Sequence, residues 1–376
     1  MCSSDLRPGD NLFANSLLAL EATTGKLRWH YQVVRHDLWD RDLPSPPNLV
    51  TLYRDGQPID AVVQATKSGH LFVFNRETGE PLYPVREEPV FGEPLPGEIP
   101  SVSQPIPVLP EAFTAQGMTA ADIDERSEET RVELLARLAE YRHEGIYNLP
   151  SLEGSILRPG FDGGAEWGGS AWDAERGLLY INANEIASVL HMVPTEGNTM
   201  MDAMTTEVVY RMACAQCHGN DRRGSGFAPS LRDIGGRLPP WELYGVIKNG
   251  RGRMPSLDPR MGTMGALAIM WYLYTAGDSE PSTAIAANHT SFGHTGYPDF
   301  IASDNLPGTR PPWGTLNAVD LSTGRLRWRV PLGDYPQAVA MGITGGGAVN
   351  YGGPVATAGG LVFIAGTPDA KLRAFD

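Results

Sequence analysis

Positive charge, long apolar runs and cysteine are all scarce in this chain of 376 residues. The formal net charge is −14, which argues against binding to nucleic acid, since a polyanion is held by a basic surface. No apolar run is long enough to cross a bilayer, so no transmembrane segment is expected. There are only three cysteines, and two of them stand in one short motif.

Glycine and proline are abundant by contrast, at 43 and 31 residues. This composition favours many short strands joined by turns over a helical bundle. The chain is also longer than one typical domain. Residues 1–6 have neither the basic start nor the apolar core of a secretion signal, and we interpret them as an artefactual leader.

The cysteine motif is Cys214-Ala215-Gln216-Cys217-His218, which has the spacing of a covalent haem attachment site. Each thiol can form a thioether to a porphyrin vinyl group, and the adjacent imidazole can bind the iron from one face. A redox dithiol or half of a zinc site would show the same pair. A zinc site needs four ligands, however, and the chain has no second cysteine pair. The motif therefore predicts haem c held by Cys214 and Cys217, with His218 as an iron ligand.

A second iron ligand is expected downstream, and Met254 in the run Gly-Arg-Gly-Arg-Met-Pro is the first candidate, with Met261 and Met264 as alternatives. A thioether is a soft ligand that favours ferrous iron, so His/Met ligation suits electron transfer. A closing helix is predicted over 261–276. Its predicted apolar stripe consists of Leu267, Met270, Trp271 and Tyr274. This order of elements resembles a class I cytochrome c domain, which we assign to residues 200–280.

The segments on both sides of this domain repeat one pattern. Residues 19–29 read ALEATTGKLRW and residues 318–328 read AVDLSTGRLRW, so Thr-Gly turns the chain and the next strand carries a tryptophan. We expect Trp29 and Trp328 to pack on neighbouring units. Irregular spacing and long loops between the units favour propeller blades over a solenoid. The sequence therefore predicts an all-β propeller, partial and with about four blades present, into which an all-α cytochrome c domain is inserted.

These patterns also predict the domain limits. Propeller blades are expected over 7–110, 144–199 and 281–376, the last of them truncated. Residues 111–143 carry helical charge patterning and are predicted to be a helical insertion without chemistry of its own. The apolar set of this insertion is Val132, Leu134, Leu135 and Leu138.

A further series of motifs makes the resemblance to one family specific. In chain order the motifs are Gly9 to Phe13, His36 to Pro44, Ala65 to His70, Glu144 to Tyr147, Glu166 to Gly169 and Gly352 to Pro354. Together they resemble the quinoprotein dehydrogenases that use pyrroloquinoline quinone (PQQ), most of all the glucose dehydrogenase branch. The Thr-Gly-x-x-x-Trp repeat is similar to the tryptophan-docking motif of that family. The resemblance implies PQQ as a cofactor.

The resemblance also implies roles for single residues. Asp40 is the expected general base, which takes the hydroxyl proton of the substrate alcohol. Lys67 is the expected cation at the quinone oxygens, where it stabilises the charge that develops on reduction. Asn184 is the expected amide that hydrogen-bonds the cofactor, with Asn182 as the competing choice.

Asp42, two residues beyond Asp40, resembles the additional metal ligand of lanthanide-using alcohol dehydrogenases, although glucose-dehydrogenase-like members also carry an Asp there. Calcium or a similar hard cation is therefore expected. The main metal ligands and the tryptophan floor under the quinone are expected upstream of this sequence. This piece alone is accordingly not expected to turn over substrate.

The expected function is that of an exported, periplasmic quinohaemoprotein dehydrogenase, since haem is attached covalently outside the cytoplasm. It would oxidise a sugar, polyol or other alcohol and pass electrons through the haem to a downstream acceptor. The alternative is an electron-transfer cytochrome on a propeller scaffold without quinone catalysis.

Overall fold

A computed structural model describes residues 9–194 and 292–376. Between these two parts it describes shorter stretches, namely 210, 213–219, 222–224, 228–252, 254, 256 and 258–275.

The described residues form eighteen short strands, and wherever two of these strands pair with each other they run antiparallel. In chain order they are β1 (Ser16–Leu20), β2 (Leu27–Gln32), β3 (Asn48–Arg54), β4 (Gln57–Ala65), β5 (Leu71–Asn75), β6 (Val85–Pro89), β7 (Ser103–Pro107), β8 (Ser155–Leu157), β9 (Ser170–Asp173), β10 (Leu178–Asn184), β11 (Ser188–Leu190), β12 (Met192–Pro194), β13 (Phe292–His294), β14 (Gly314–Asp320), β15 (Arg325–Pro331), β16 (Val355–Ala356), β17 (Val362–Ile364) and β18 (Arg373–Phe375).

The helices of the described residues are fewer and mostly short. They are α1 (Glu128–Leu138), α2 (Ala215–His218), α3 (Pro240–Asn249), α4 (Asp258–Thr275) and α5 (Pro336–Ala340), with 3-10 helices at Ala120–Asp122 and Ile234–Gly236. None of these helices is both long and apolar enough to cross a membrane.

The sheets are mostly smaller than the four-stranded blades that the sequence predicts. Within the described parts of the chain, one sheet has four strands, in the order β15-β14-β10-β9. Two sheets have three strands, β3-β4-β5 and β16-β17-β18, and the remaining ones are two-stranded pairs. The structure therefore has the antiparallel strands expected of propeller blades, but among the described residues a single sheet reaches the four strands of a complete blade.

The two repeats found in the sequence have the same backbone. In each of them the tryptophan, Trp29 or Trp328, pairs with an alanine, and the strand register shifts directly after that alanine. The turn glycines Gly25 and Gly324 have φ of 70° and 72°. A positive φ is accessible to glycine at little cost, so the recurring Thr-Gly pair is a consequence of this turn.

Trp29 docks on the turn that follows β5, as the repeat predicts. Its indole N–H donates a hydrogen bond to the Arg76 carbonyl at 3.0 Å, and its ring centroid is 6.0 Å from that of Phe74. The space beside Gly79 is filled by the indole, since a Cβ there would lie 2.6 Å from Trp29. The tryptophan thus connects one two-stranded pair to the neighbouring sheet.

The predicted cytochrome domain lies between two strands that pair with each other. Pro194, the last residue of β12, is opposite Phe292, the first residue of β13. The chain therefore leaves and re-enters the β-structure at the same point. The described residues between these strands have their own apolar cluster, which includes Tyr210, Cys214 and Leu243.

Two predictions about helical faces need correction. Among the α4 side chains that the structure describes, Ala266, Ile269 and Leu273 are buried, whereas Leu267 and Trp271 are exposed, so the predicted apolar stripe is rotated about the helix axis from the buried face. In the insertion 111–143, α1 begins after the N-cap Ser127 and buries Leu134 and Leu138, with Leu135 partly buried. Val132 was predicted to belong to this apolar face, but it is exposed.

Candidate functional site

The loop that carries Asp40 is held by the carboxylate of Asp37. Asp37 accepts hydrogen bonds from the backbone N–H groups of Trp39 and Arg41, at 2.9 and 2.7 Å, and from the side-chain amide of Asn15 at 2.8 Å. Within this turn Asp40 has φ of 60°, a left-handed conformation that few residues other than glycine adopt. Asp37 therefore fixes the backbone that presents the Asp40 carboxylate.

Two buried side chains anchor the same loop to distant segments. The guanidinium of Arg41 donates to the carbonyl oxygen of Gly160 at 2.8 Å and also to that of Pro159. The indole N–H of Trp39 donates to the carbonyl oxygen of Asn148 at 2.6 Å. Long-range hydrogen bonds thus position the loop more firmly than its own turn would.

Lys67 lies in the turn between β4 and β5, where Gly69 has φ of 80°. Its ammonium donates to Asp42 Oδ1 at 2.6 Å and to Asp40 Oδ2 at 3.2 Å. Burial lowers the pKa of Lys67, but the hydrogen bond to Asp42 and the charge of Asp40 outweigh this effect, so its pKa lies above the ordinary value. The structure therefore brings Lys67, Asp40 and Asp42 together as a protonated lysine between two carboxylates.

Asn184 is joined to Lys67 through one glycine. The Gly164 N–H donates to the Lys67 carbonyl at 2.6 Å, and the Gly164 carbonyl accepts from the Asn184 N–H at 3.1 Å. The Asn184 side-chain carbonyl accepts from the Asn350 N–H at 2.8 Å, while its Nδ2 is buried and has no hydrogen-bond partner among the described atoms. The competing Asn182 donates to both oxygens of Asn350, at 3.0 and 2.9 Å. An open buried donor is costly unless a ligand satisfies it, so Asn184 suits cofactor binding better than Asn182 does.

Further acidic groups stand beside this site, and the sequence reasoning gave them no role. Burial, followed by the charge of Asp162, raises the pKa of the buried Glu166 to about 8, while Lys67 acts in the opposite direction. Burial and Asp162 also raise the pKa of Asp299 to about 6. The Tyr351 hydroxyl donates to Asp162 Oδ2 at 2.6 Å. In the sequence Glu166 belongs to the motif from Glu166 to Gly169, which carried the family resemblance but assigned no role to this side chain.

The described residues around Lys67 provide only part of a binding site for a hard cation. Asp40 and Asp42 offer carboxylate oxygens, but both of them contact the Lys67 ammonium. Within the described part of the chain, no group of three or more His, Cys, Asp and Glu side chains is arranged to hold a metal ion. Calcium takes six to eight oxygen ligands, so the described residues supply a fraction of them.

A cavity of about 450 Å³ lies at the haem motif, within the usual size range of ligand pockets. Cys214, Cys217, His218 and Met254 all line it, so the four residues predicted to hold the haem share one cavity. Most of the remaining wall is apolar and includes Ile234, Leu238, Leu243, Ile247 and Leu273. The side chains of the alternative ligands Met261 and Met264 lie outside the described residues.

The imidazole of His218 is held in a tautomer that can bind a metal through Nε2. Its Nδ1 lies 2.8 Å from the Pro229 carbonyl oxygen, which can only accept, so Nδ1 carries the proton and Nε2 keeps its lone pair. Burial lowers the pKa of His218, which keeps the ring neutral. Burial, and then Cys217, raises the pKa of Cys214 to about 12. A reactive dithiol needs a lowered thiol pKa, so this pocket fits haem c better than a redox pair.

The described residues thus combine small antiparallel sheets, a lysine that contacts two aspartates, and a cavity lined by two cysteines, a histidine and a methionine, an arrangement in keeping with the class of quinoprotein dehydrogenases. Residues 2–235 and 271–376 match the family described as glucose/ethanol/alcohol dehydrogenase, beta-propeller domain, and the chain belongs to this PQQ dehydrogenase family. This match begins at residue 2, within the segment 1–6 for which an artefactual origin was expected. Residues 201–273 match the family described as cytochrome C oxidase, cbb3-type, subunit III.

Individual relatives agree with the family. The chain is 31% identical over 383 residues to a probable quinate dehydrogenase (quinone) of Xanthomonas campestris pv. juglandis, and 29% identical over 375 residues to the quinoprotein glucose dehydrogenase of Escherichia coli K12. Both matches cover 98% of this chain but only 38% of the relative, so the chain spans about two fifths of their length. A shorter match, 43% identical over 72 residues, is to the quinohemoprotein alcohol dehydrogenase ADH IIB of Pseudomonas putida, and it covers 19% of this chain and 10% of that protein.

Proposed function

We propose that this chain supplies the catalytic base and the haem of a periplasmic quinohaemoprotein dehydrogenase that oxidises a sugar, polyol or other alcohol. The observation that carries the proposal is the contact of the Lys67 ammonium with Asp40 and Asp42, next to the open amide of Asn184. The two relatives that match nearly the whole chain are named as a probable quinate dehydrogenase and a glucose dehydrogenase, so a cyclic polyol or sugar is the first substrate class to test.

The chain's own residues would divide the work at the quinone site. Bound PQQ would supply an acceptor for the hydride of the carbinol carbon, which would become a carbonyl carbon. Asp40 would take the hydroxyl proton, Lys67 would stabilise negative charge on the cofactor oxygens, and Asn184 Nδ2 would donate a hydrogen bond to the cofactor. Calcium or a similar hard cation belongs to the proposal, with Asp42 as one possible ligand.

The haem part of the proposal uses the lined cavity. Cys214 and Cys217 would attach haem c through thioethers, and His218 and Met254 would bind its iron. Haem would supply one-electron chemistry, so that the two electrons of each oxidised substrate could pass singly to a downstream acceptor. Export to the periplasm follows from the covalent attachment, which normally takes place outside the cytoplasm.

The substitution Asp40→Asn tests the base in the full-length protein loaded with PQQ and haem. We expect the rate of haem reduction after addition of substrate to fall by a factor of about 10² to 10⁴, the usual contribution of a general base. PQQ binding, measured by fluorescence titration, should change little. Asp55→Asn is the matched control, because Asp55 also has a positive φ, of 51°, but lies in the exposed turn between β3 and β4.

The outcomes separate the candidate functions. An unchanged rate in the Asp40→Asn protein would exclude Asp40 as the base. A wild-type protein that binds haem but shows no quinone-dependent activity would support the alternative, an electron-transfer cytochrome on a propeller scaffold. The same assay on the chain of 376 residues tests the expectation that this piece alone does not turn over substrate.

A further inference from the structure

Part of the wall of the haem cavity comes from outside the cytochrome segment. Four residues after β13 line it, and we refer to residues 301–305 as the cavity turn. The lining residues are Ile301, Ala302, Ser303 and Asn305. The turn is closed by a hydrogen bond from the Asn305 N–H to the Ala302 carbonyl, at 2.9 Å. A pocket assigned from sequence to one domain is thus completed by another part of the chain.

Helix α1 holds the cavity turn through two buried charged residues. Glu133 Oε1 accepts a hydrogen bond from the Ser303 N–H at 3.1 Å, and Arg137 Nη1 donates to the Ile301 carbonyl. The Arg137 side chain is 9% exposed and the Glu133 side chain is 5% exposed. Arg137 Nη1 lies 3.5 Å from Glu133 Oε1. Arg137 also lies over the ring of Phe300, with Cζ 5.0 Å from the centroid. Both charges are therefore bonded directly to the backbone of residues that line the cavity.

We propose that Arg137 and Glu133 complete the haem site from outside the cytochrome segment, by fixing the cavity turn and by setting the reduction potential of the haem. The proposal rests on the haem-binding part of the proposed function. Buried charges act through a lower effective dielectric than exposed ones and are less screened by salt. The helical insertion 111–143 would then have a role in the chemistry, contrary to the expectation from its sequence.

The two residues should act on the haem with opposite signs. Reduction adds an electron, so the positive charge of Arg137 favours the reduced haem and the negative charge of Glu133 favours the oxidised haem.

Redox titration of the exported chain with haem attached tests this proposal through the midpoint potential. Glu133→Gln retains an acceptor for the Ser303 N–H but removes the charge, and we expect an upward shift. Arg137→Met should give a downward shift, and the double variant an intermediate value. Each single change should alter the ratio of reduced to oxidised haem by about threefold to tenfold, where tenfold corresponds to about 59 mV for one electron. Arg131→Met on the same helix is the control, because Arg131 is 39% exposed and paired with Glu125.

The absorption spectrum of the reduced haem shows whether each variant carries haem. If the wild-type chain carries none, the haem part of the proposed function fails. If all variants carry haem and the potentials of Glu133→Gln and Arg137→Met move no more than that of Arg131→Met, the present proposal fails. If the midpoint potentials of Glu133→Gln and Arg137→Met shift in the same direction, the proposal is also overturned. A common direction would indicate that both changes loosen the cavity turn, because the effect of a lost charge depends on its sign. If Arg137→Met does not fold, the direction of the Glu133→Gln shift decides.

Discussion

Glu166 differs from the other carboxylates near Lys67 because its surroundings oppose its charge. It is 4% exposed, and Asp162 adds a like charge to the cost of its burial. With a pKa of about 8 it is mostly protonated at neutral pH, so it can donate a hydrogen bond. Because a neutral Glu166 does not compete as a counter-ion, the Lys67 ammonium is paired with Asp40 and Asp42.

The raised pKa of Glu166 predicts a loss of stability as the pH rises. Between its ordinary pKa of 4.5 and about 8, the folded chain retains a proton that the unfolded chain has released. The free energy of unfolding therefore falls through this window. We expect the free energy of unfolding of Glu166→Gln to lack this fall. The difference in stability between the variant and the wild type should therefore shift in favour of the variant as the pH rises from 4.5 to about 8. Urea unfolding at both limits measures the effect.

The control for this prediction is Glu175→Gln in the exposed turn between β9 and β10. Equal pH profiles of the Glu166→Gln and wild-type proteins would contradict a raised pKa. A parallel offset of the two profiles would point to a change of packing alone.

The sequence identified some residues of the site better than others, and the reason is physical. Asp40 and Lys67 could be predicted together because the motifs that contain them are local, and the structure brings the two side chains into contact although 27 positions separate them. The preference for Asn184 over Asn182 came from the family resemblance, and its structural reason depends on Asn350, 166 positions away from Asn184. Arg137 gave no signal at all, because its importance depends on a turn that folds back from residues 301–305.

At the scale of elements, the Thr-Gly turn and its tryptophan work as one docking unit. The tryptophan needs the turn of the next sheet to have a glycine, because its ring occupies the position of the Cβ at Gly79. The sequence predicted this unit from the repeated Thr-Gly turn with its following tryptophan and from the similarity to the tryptophan-docking motif. The face of α4 was harder to predict, since its sequence is apolar nearly all round and periodicity then carries little information.

Trp29→Phe tests the docking unit. The change retains an aromatic ring near Phe74 but removes the hydrogen bond from the indole N–H to the Arg76 carbonyl and part of the ring. We expect the free energy of unfolding to fall by about 1 to 2 kcal/mol, from the lost hydrogen bond and the smaller buried area. Trp241→Phe on α3, where the side chain is 76% exposed, should change it by less than about 0.5 kcal/mol. Equal effects in the two variants, measured by urea unfolding, would contradict the docking role.

At the scale of the whole molecule, the pairing of β12 with β13 makes the cytochrome segment a removable module. Pro194 and Phe292 are partners in an antiparallel ladder, where paired Cα atoms lie about 5 Å apart. A two-residue turn can close such a gap. This geometry predicts that the β-structure on either side can bring its ends together without the segment between these residues.

We therefore predict that replacing residues 195–291 by a two-residue Asn-Gly turn leaves the β-structure folded. The far-ultraviolet circular dichroism should retain its β character, and in the full-length protein PQQ should still bind and support activity with an artificial dye. Haem absorbance and electron delivery to the natural acceptor should be lost. The control is Cys214→Ala with Cys217→Ala, which removes the haem attachment but retains the segment, and so separates loss of haem from loss of the module. If the shortened chain aggregates while this control folds, the β-structure depends on the cytochrome segment, for example through the contacts of the cavity turn. The prediction that the segment is a separable module would then be wrong.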